Sequence, residues 1–119
     1  MISFTVAIGF SAGGLQALKD MLPLIPVETY ASYILISHLS ATHKSNLDTI
    51  LSKYTSIPIV RASHMLRLEP HTIYLLPENE MMTVEYGFLM LRARHSDEII
   101  NSAIDIFFTS LAQDAKDKA

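Results

Sequence analysis

The chain has 119 residues, a formal net charge of -3 from 9 basic and 12 acidic side chains, no cysteine, and a mean hydropathy of +0.28. That length holds one domain with a single core, and the absence of cysteine excludes disulfides, thiolate chemistry and zinc-thiolate sites. No Lys/Arg cluster supplies the basic patch on which nucleic-acid or anionic-membrane binding rests, and no apolar run reaches the roughly 20 residues of a membrane-spanning helix. The amino terminus lacks a basic segment followed by an apolar run and a cleavage site, so a cytoplasmic protein with no nucleic-acid partner and no membrane insertion is expected.

In chain order, Phe4 to Ile8 is apolar and β-branched, breaks into small residues at Gly9-Phe10-Ser11-Ala12-Gly13-Gly14, and resumes with helix formers. This predicts strand, tight turn, helix. Gly9, Ser11 and Gly13 satisfy G-x-S-x-G, the nucleophile-elbow pattern in which flanking glycines let the backbone turn sharply and hold a serine hydroxyl at the strand's carboxyl end. A helix starting there aims free backbone N-H groups and a partial positive charge at the same point, where an oxyanion can be held. Ser11 is the candidate nucleophile, and a serine that merely caps the helix is the competing reading of the same residues.

Leu15, Leu18, Met21 and Leu22 recur at helical spacing until Pro23 and Pro26. Ala31 to His38 is a near-continuous apolar run, as in a parallel strand covered on both faces, and it ends in a histidine at the sheet edge where open α/β sheets place their ligands. Ser45 is placed to cap a helix from about Asn46 to Tyr54, with Leu47, Ile50 and Leu51 on one face. Ile57 to Val60 reads as a short strand beside Pro58, near a sheet edge or at a strand start; His64 to Pro70 reads as a connection, and His71 to Pro77 as another strand. Met81-Glu85 and Phe88-Arg92 flank Tyr86-Gly87 as an antiparallel hairpin. Arg94 to Glu98 reads as a charged loop. From about Ser102 a helix presents Ile104, Phe107, Phe108 and Leu111. The expected fold is α/β, a doubly wound, mainly parallel sheet with an antiparallel hairpin, in a single partial domain over 1–119 that stops before its last strands. His38 and His43 lack a third ligand at a sensible spacing, so neither metal nor cofactor is expected. His64, His71 and His95 read as surface or strand-end residues, and Met81 and Met82 as core filler.

The stretches Gly9 to Leu18, Ile36-Ser37-His38-Leu39-Ser40, His43-Lys44-Ser45, Leu68 to Pro77 and Ala103 to Ala112 together resemble, in collinear order, the CheB-type protein-glutamate methylesterase domain of chemotaxis, and look closest to the branch fused to a methyltransferase domain. The resemblance implies hydrolysis of methyl esters on receptor glutamates, with glutamine deamidation in some members. It matches Ser11 to the family nucleophile, His38 to its histidine and the Ala12 backbone N-H to an oxyanion donor. A methylated chemoreceptor or similar signalling protein is the implied substrate, and a methyltransferase domain a further partner. Three departures are visible. No position matches the aspartate that orients the family's histidine; Asp97, Glu98, Asp105 and Asp114 read as solvated or capping charges. Ser37 stands where glutamine is common, and Asn101-Ser102 where an Arg-Pro or similar pair is common. The expectation is an esterase impaired by the missing acid, with an inactive esterase-like scaffold as the alternative. Absent strands would leave an apolar sheet edge, so self-association or a partner completing the sheet is also expected. A nucleotide or phosphate binder is the weakest reading, since neither G-x-G-x-x-G nor the Walker lysine pattern is satisfied.

Overall fold

The computed structural model describes residues 4–10, 14–26, 28, 30–37, 47–77, 80–94 and 102–119. In chain order the elements are β1 (Phe4–Phe10), α1 (Leu15–Met21) running into a 3-10 turn at Leu22–Leu24, β2 (Ala31–Ser37), α2 (Leu47–Leu51), β3 (Ile59–Arg61), β4 (Leu66–Arg67), β5 (Thr72–Leu75), β6 (Glu80–Glu85), β7 (Phe88–Ala93) and α3 (Ser102–Ala115), closed by a 3-10 turn at Lys116–Lys118. The four longer-range strands form a parallel sheet in the order β1-β2-β5-β3, and β4-β7-β6 form a smaller antiparallel sheet. This is the mixed α/β arrangement with a hairpin that the sequence leads one to expect.

Two cores follow from the strand pleat. On one face of the parallel sheet, Leu35, Ile73 and Leu75 pack with Leu18, Leu22, Leu47, Leu51 and Ile57 from the α1 and α2 side. On the other, Ile34, Ile36 and Tyr74 pack with Ala103, Phe107 and Leu111 of α3 and with Met81, Met82, Val84 and Leu89 of the hairpin. Ile34, Leu35 and Ile36 are all buried in succession, as a strand covered on both faces requires. Helix α3 therefore lies between the two sheets.

Several sequence expectations are corrected. A two-residue strand, β4, sits inside the segment read as a plain connection, pairing Leu66 with Leu89 and Arg67 with Phe88. Helix α2 ends at Leu51, because the Lys53 and Tyr54 amides turn to the Ile50 and Leu51 carbonyls in tighter i to i-3 bonds of 3.4 and 2.9 Å. Strand β3 begins at Ile59; Pro58 has no N-H for a ladder and contributes only its carbonyl, which accepts from the Ile73 amide at 2.9 Å. In α3 the buried line is Ala103, Phe107 and Leu111, while Phe108, one residue round the helix, is 42 % exposed.

Strand β6 would present an open edge, but α3 closes it. Ser110 Oγ accepts from the Val84 amide at 3.1 Å and donates to the Phe107 carbonyl at 2.8 Å. One turn later, the Asp114 carboxylate accepts from the Tyr86 and Gly87 amides at 2.6 and 3.1 Å. Both turn residues have positive φ, 52° and 79°, the pattern of a two-residue type I′ hairpin. Asp114 is thus a capping charge, on a hairpin turn rather than on a helix. Among the described residues no helix is long and apolar enough to cross a membrane.

Candidate active site

The parallel strands all end on one edge of their sheet, the carboxyl edge. β1 and β2 are paired along their whole length, from Phe4↔Ala31 to Phe10↔Ser37, so they finish level with each other. Ser11 follows Phe10 in the sequence and His38 follows Ser37. Ser11, Ala12, Gly13 and His38 lie outside the described residues; the frame that leads into them is described, together with Gly9 and Gly14. That frame is braced from the next strand, since the Leu76 amide donates to the Leu35 carbonyl at 3.2 Å and the Ala62 amide to the Leu75 carbonyl at 2.8 Å.

Gly9 has a different role from the one its motif suggests. It lies within β1 rather than in a turn. A Cβ there would stand 2.7 Å from Ile104 Cδ1 and 2.9 Å from Ile104 Cγ2, inside contact distance, so Gly9 lets α3 pack directly on the strand two residues before Ser11. Gly14 is the N-cap of α1, at φ -88° and ψ -3°, and makes no side-chain capping bond. A Cβ there would meet the Phe10 Cβ at 3.3 Å, so the chain leaves β1 and enters α1 through a close approach.

Of the late acids, Asp97 and Glu98 lie outside the described residues. Asp105 lines a surface hollow with Thr83, Ile106, Thr109 and Gln113, on the β6 side of α3. Asp114 holds the hairpin turn and shares a second hollow with Thr5, near the amino end of β1 and away from the carboxyl edge. His64 is exposed, and its Nδ1 accepts from the Leu91 amide at 3.0 Å. His71 stands just before β5 at φ 59°, its backbone amide donating to the Ala31 carbonyl at 2.9 Å. Its Nδ1 is buried without a hydrogen-bond partner. His95 lies outside the described residues, among which no cluster of three or more His, Asp or Glu could hold a metal ion.

Sequence reasoning missed the residues that secure the crossover into β5. The Tyr74 hydroxyl accepts from the Glu69 amide at 2.7 Å and donates to the Arg67 carbonyl at 3.4 Å, while Ser32 Oγ donates to the Glu69 carbonyl at 2.6 Å. Burial, the largest influence, raises the Tyr74 pKa above its ordinary value against the lowering effect of the Glu69 amide bond. An Ile-Tyr-Leu run in a strand carries no sign of this; the only signal was a polar atom in a segment that had to be buried on both faces.

Comparison with known proteins agrees with this frame. Residues 6–119 match the family model described as CheB methylesterase. The protein-glutamate methylesterase/protein-glutamine glutaminase 1 of Caulobacter vibrioides is 30% identical over 118 residues, 96% of this chain and 34% of that protein. The corresponding protein 2 of Pseudomonas syringae pv. syringae is 29% identical over 109 residues, 91% of this chain and 32% of that one. The crystal structure of the Thermotoga maritima CheB methylesterase catalytic domain superposes with a TM-score of 0.81 at 22% identity, over 99% of this chain and 65% of that one, which establishes a shared fold. The chain spans about a third of the length of the curated relatives it matches. With that match running from the first strand to the last residue, the chain belongs to the CheB methylesterase family.

Proposed function

We propose that this chain carries the nucleophile and base of a protein-glutamate methylesterase acting on a methylated chemoreceptor or similar signalling protein in the cytoplasm, with Ser11 as nucleophile, His38 as base and the Ala12 N-H as oxyanion donor. The observation that supports this is the Phe10↔Ser37 register at the carboxyl edge. Parallel neighbours are spaced about 4.8 Å apart, so residues entering from two level strand ends begin within side-chain hydrogen-bonding reach of each other.

The chemistry is then acyl transfer. His38 takes the Ser11 proton as Oγ bonds to the ester carbon, and the carbonyl electrons move onto oxygen, held by backbone N-H groups. Collapse expels methoxide, which leaves as methanol with the proton from His38. Water, deprotonated by the same imidazole, attacks the acyl-serine and releases the glutamate carboxylate and free Ser11. Glutamine deamidation would follow the same path with ammonia as leaving group.

Asp114 is engaged at the hairpin turn, and no position in the sequence matches the aspartate that orients the family's histidine. Without an orienting acid the histidine favours the wrong tautomer, which in serine proteases costs about four orders of magnitude in turnover. The chain as it stands is therefore a slow esterase. The same observation favours a second reading, an esterase-like scaffold that binds a receptor or a methyltransferase domain without turnover. A fluorophosphonate probe separates the two: the esterase reading requires labelling of Ser11, abolished in Ser11→Ala and slowed in His38→Gln. No labelling of folded chain above the heat-denatured control would leave the scaffold.

A further inference from the structure

The turn between β3 and β4 is tied to both sheets, and one of the ties is a histidine. On the side of the parallel sheet, the Ala62 amide donates to the Leu75 carbonyl at 2.8 Å. On the side of the antiparallel sheet, β4 pairs Arg67 with Phe88 and Leu66 with Leu89, and the same register continued would set Met65 level with Met90 and His64 level with Leu91. The strand stops at Leu66 instead. His64 and Met65 form a turn, and Met65 has φ 63°, in the left-handed region that favours glycine. The backbone thus leaves β7 two residues before it would reach the Leu91 amide, and the His64 side chain takes the place of the missing strand residue: its Nδ1 accepts from that amide at 3.0 Å.

This bond fixes where the ring carries its proton. Nδ1 accepts only while it is unprotonated, so the neutral ring has its hydrogen on Nε2; an imidazolium donates from both nitrogens and would set one N-H against another. Histidine is the side chain that changes charge between about pH 5 and pH 8. The charged residues of the elements around it are Arg61 on β3, Arg67 on β4, Arg92 on β7 and Arg94 just past β7, and those three strands carry no carboxylate to hold an imidazolium in place. Glu80 and Glu85 are one strand further off, on β6 opposite Ala93 and Phe88. Glu69 lies past β4, where its amide and carbonyl are bonded to Tyr74 and Ser32.

We propose that His64 is an acid-released latch between the two sheets. The neutral imidazole holds the β3-β4 turn against β7. Protonation removes the acceptor, leaves the Leu91 amide unpaired and frees the left-handed turn at Met65, so that the turn and β4 come away from β7 while Ala62 stays bonded to Leu75. The sign follows from the direction of the bond: because Leu91 donates, the latch is closed above the histidine range and opens as pH falls through it. The inference stands whether or not Ser11 is a nucleophile.

The test is nuclear magnetic resonance of the isotope-labelled chain at about pH 8 and about pH 5, reading the His64 ring tautomer and the exchange protection of single amides, beside His64→Asn and His64→Ala. The asparagine side-chain oxygen is an acceptor that does not titrate in this range, and alanine offers none. Successive amides of a strand point to opposite sides, so the Met90 amide is directed at β6, where Met90 is level with Thr83, and serves as the internal reference. The expected result for the parent is an Nε2-H ring and a protected Leu91 amide at the higher pH, with Leu91 protection falling about three- to tenfold at the lower pH relative to Met90, the size of one lost hydrogen bond. His64→Asn should keep Leu91 protected at both pH values, and His64→Ala should leave it unprotected at both. An Nδ1-H ring at the higher pH, a Leu91 protection in the parent that does not respond to pH, or an equal loss in His64→Asn overturns the proposal. If a variant does not fold, the parent's ring tautomer and Leu91 protection decide.

Discussion

Gly9→Ala probes the packing of the strand that leads to Ser11, the proposed nucleophile. The added methyl would stand 2.7, 2.9 and 3.1 Å from the Cδ1, Cγ2 and Cγ1 atoms of Ile104. Cδ1 is the free end of the side chain and can swing away. Cγ2 is placed by χ1, which a β-branched residue in a helix holds in one strongly preferred rotamer, so it shifts chiefly with the helix, whose neighbouring residues Ala103 and Phe107 are buried. Overpacking of this kind costs about 1–3 kcal/mol, and replacing glycine restores about 0.4–1 kcal/mol through the unfolded chain, leaving a net loss of about 1–2 kcal/mol. For a chain of this size that lowers Tm by about 5–10 °C. Ile104→Ala removes all three offending atoms, so in that background Gly9→Ala should cost close to nothing, a coupling of about 1 kcal/mol or more. Thermal and denaturant melts of the four proteins in the cycle measure it. A Gly9→Ala penalty that is the same in both backgrounds, or a Gly9→Ala protein as stable as the parent, would refute the reasoning.

Other consequences are sharper in their readout than in their size. Asp114→Ala removes a charged acceptor from the Tyr86 and Gly87 amides and should cost about 1–2 kcal/mol, with faster hydrogen exchange at those two amides; unchanged exchange there would contradict the clamp. Ser110→Ala leaves the Val84 amide without its partner and reopens the β6 edge, and about 1 kcal/mol of lost stability is expected in urea melts. Tyr74→Phe deprives the Glu69 amide of its acceptor, costing about 1 kcal/mol at neutral pH. Its pH dependence has a definite sign. Burial raises the Tyr74 pKa in the folded chain, so as pH climbs past about 10 the unfolded chain loses its proton first and stability falls. Tyr74→Phe should show a shallower decline above that pH, and a parallel decline would exclude the buried hydroxyl as its cause.

The strands, the hairpin and the two-faced core were legible because they depend on local pattern. Ile34-Leu35-Ile36 and Tyr86-Gly87 each announce their structure within a few residues. What was not legible depends on contacts across the chain. Gly9 looked like a turn glycine because its neighbours form a motif, whereas its reason is Ile104, far away in sequence. Asp114 looked like one of several tail charges, and only the fold brings it beneath the hairpin turn. Phe108 was grouped with Phe107, though successive helical residues are 100° apart and only one can face the sheets. The candidate site rests on a motif, Gly9-x-Ser11-x-Gly13 with His38 following the next strand, whose Ser11, Gly13 and His38 lie outside the described residues, and the structure adds the level pairing of the strands that precede them.

Single-turnover release of methanol from a methyl-esterified receptor peptide tests the central claim most directly, comparing this chain, its Ser11→Ala variant and a version extended to the full span of the solved catalytic domain. The account predicts Ser11-dependent release that is slow from this chain and faster by orders of magnitude from the extended one. Release that is indifferent to Ser11, or equally fast from both lengths, would contradict it.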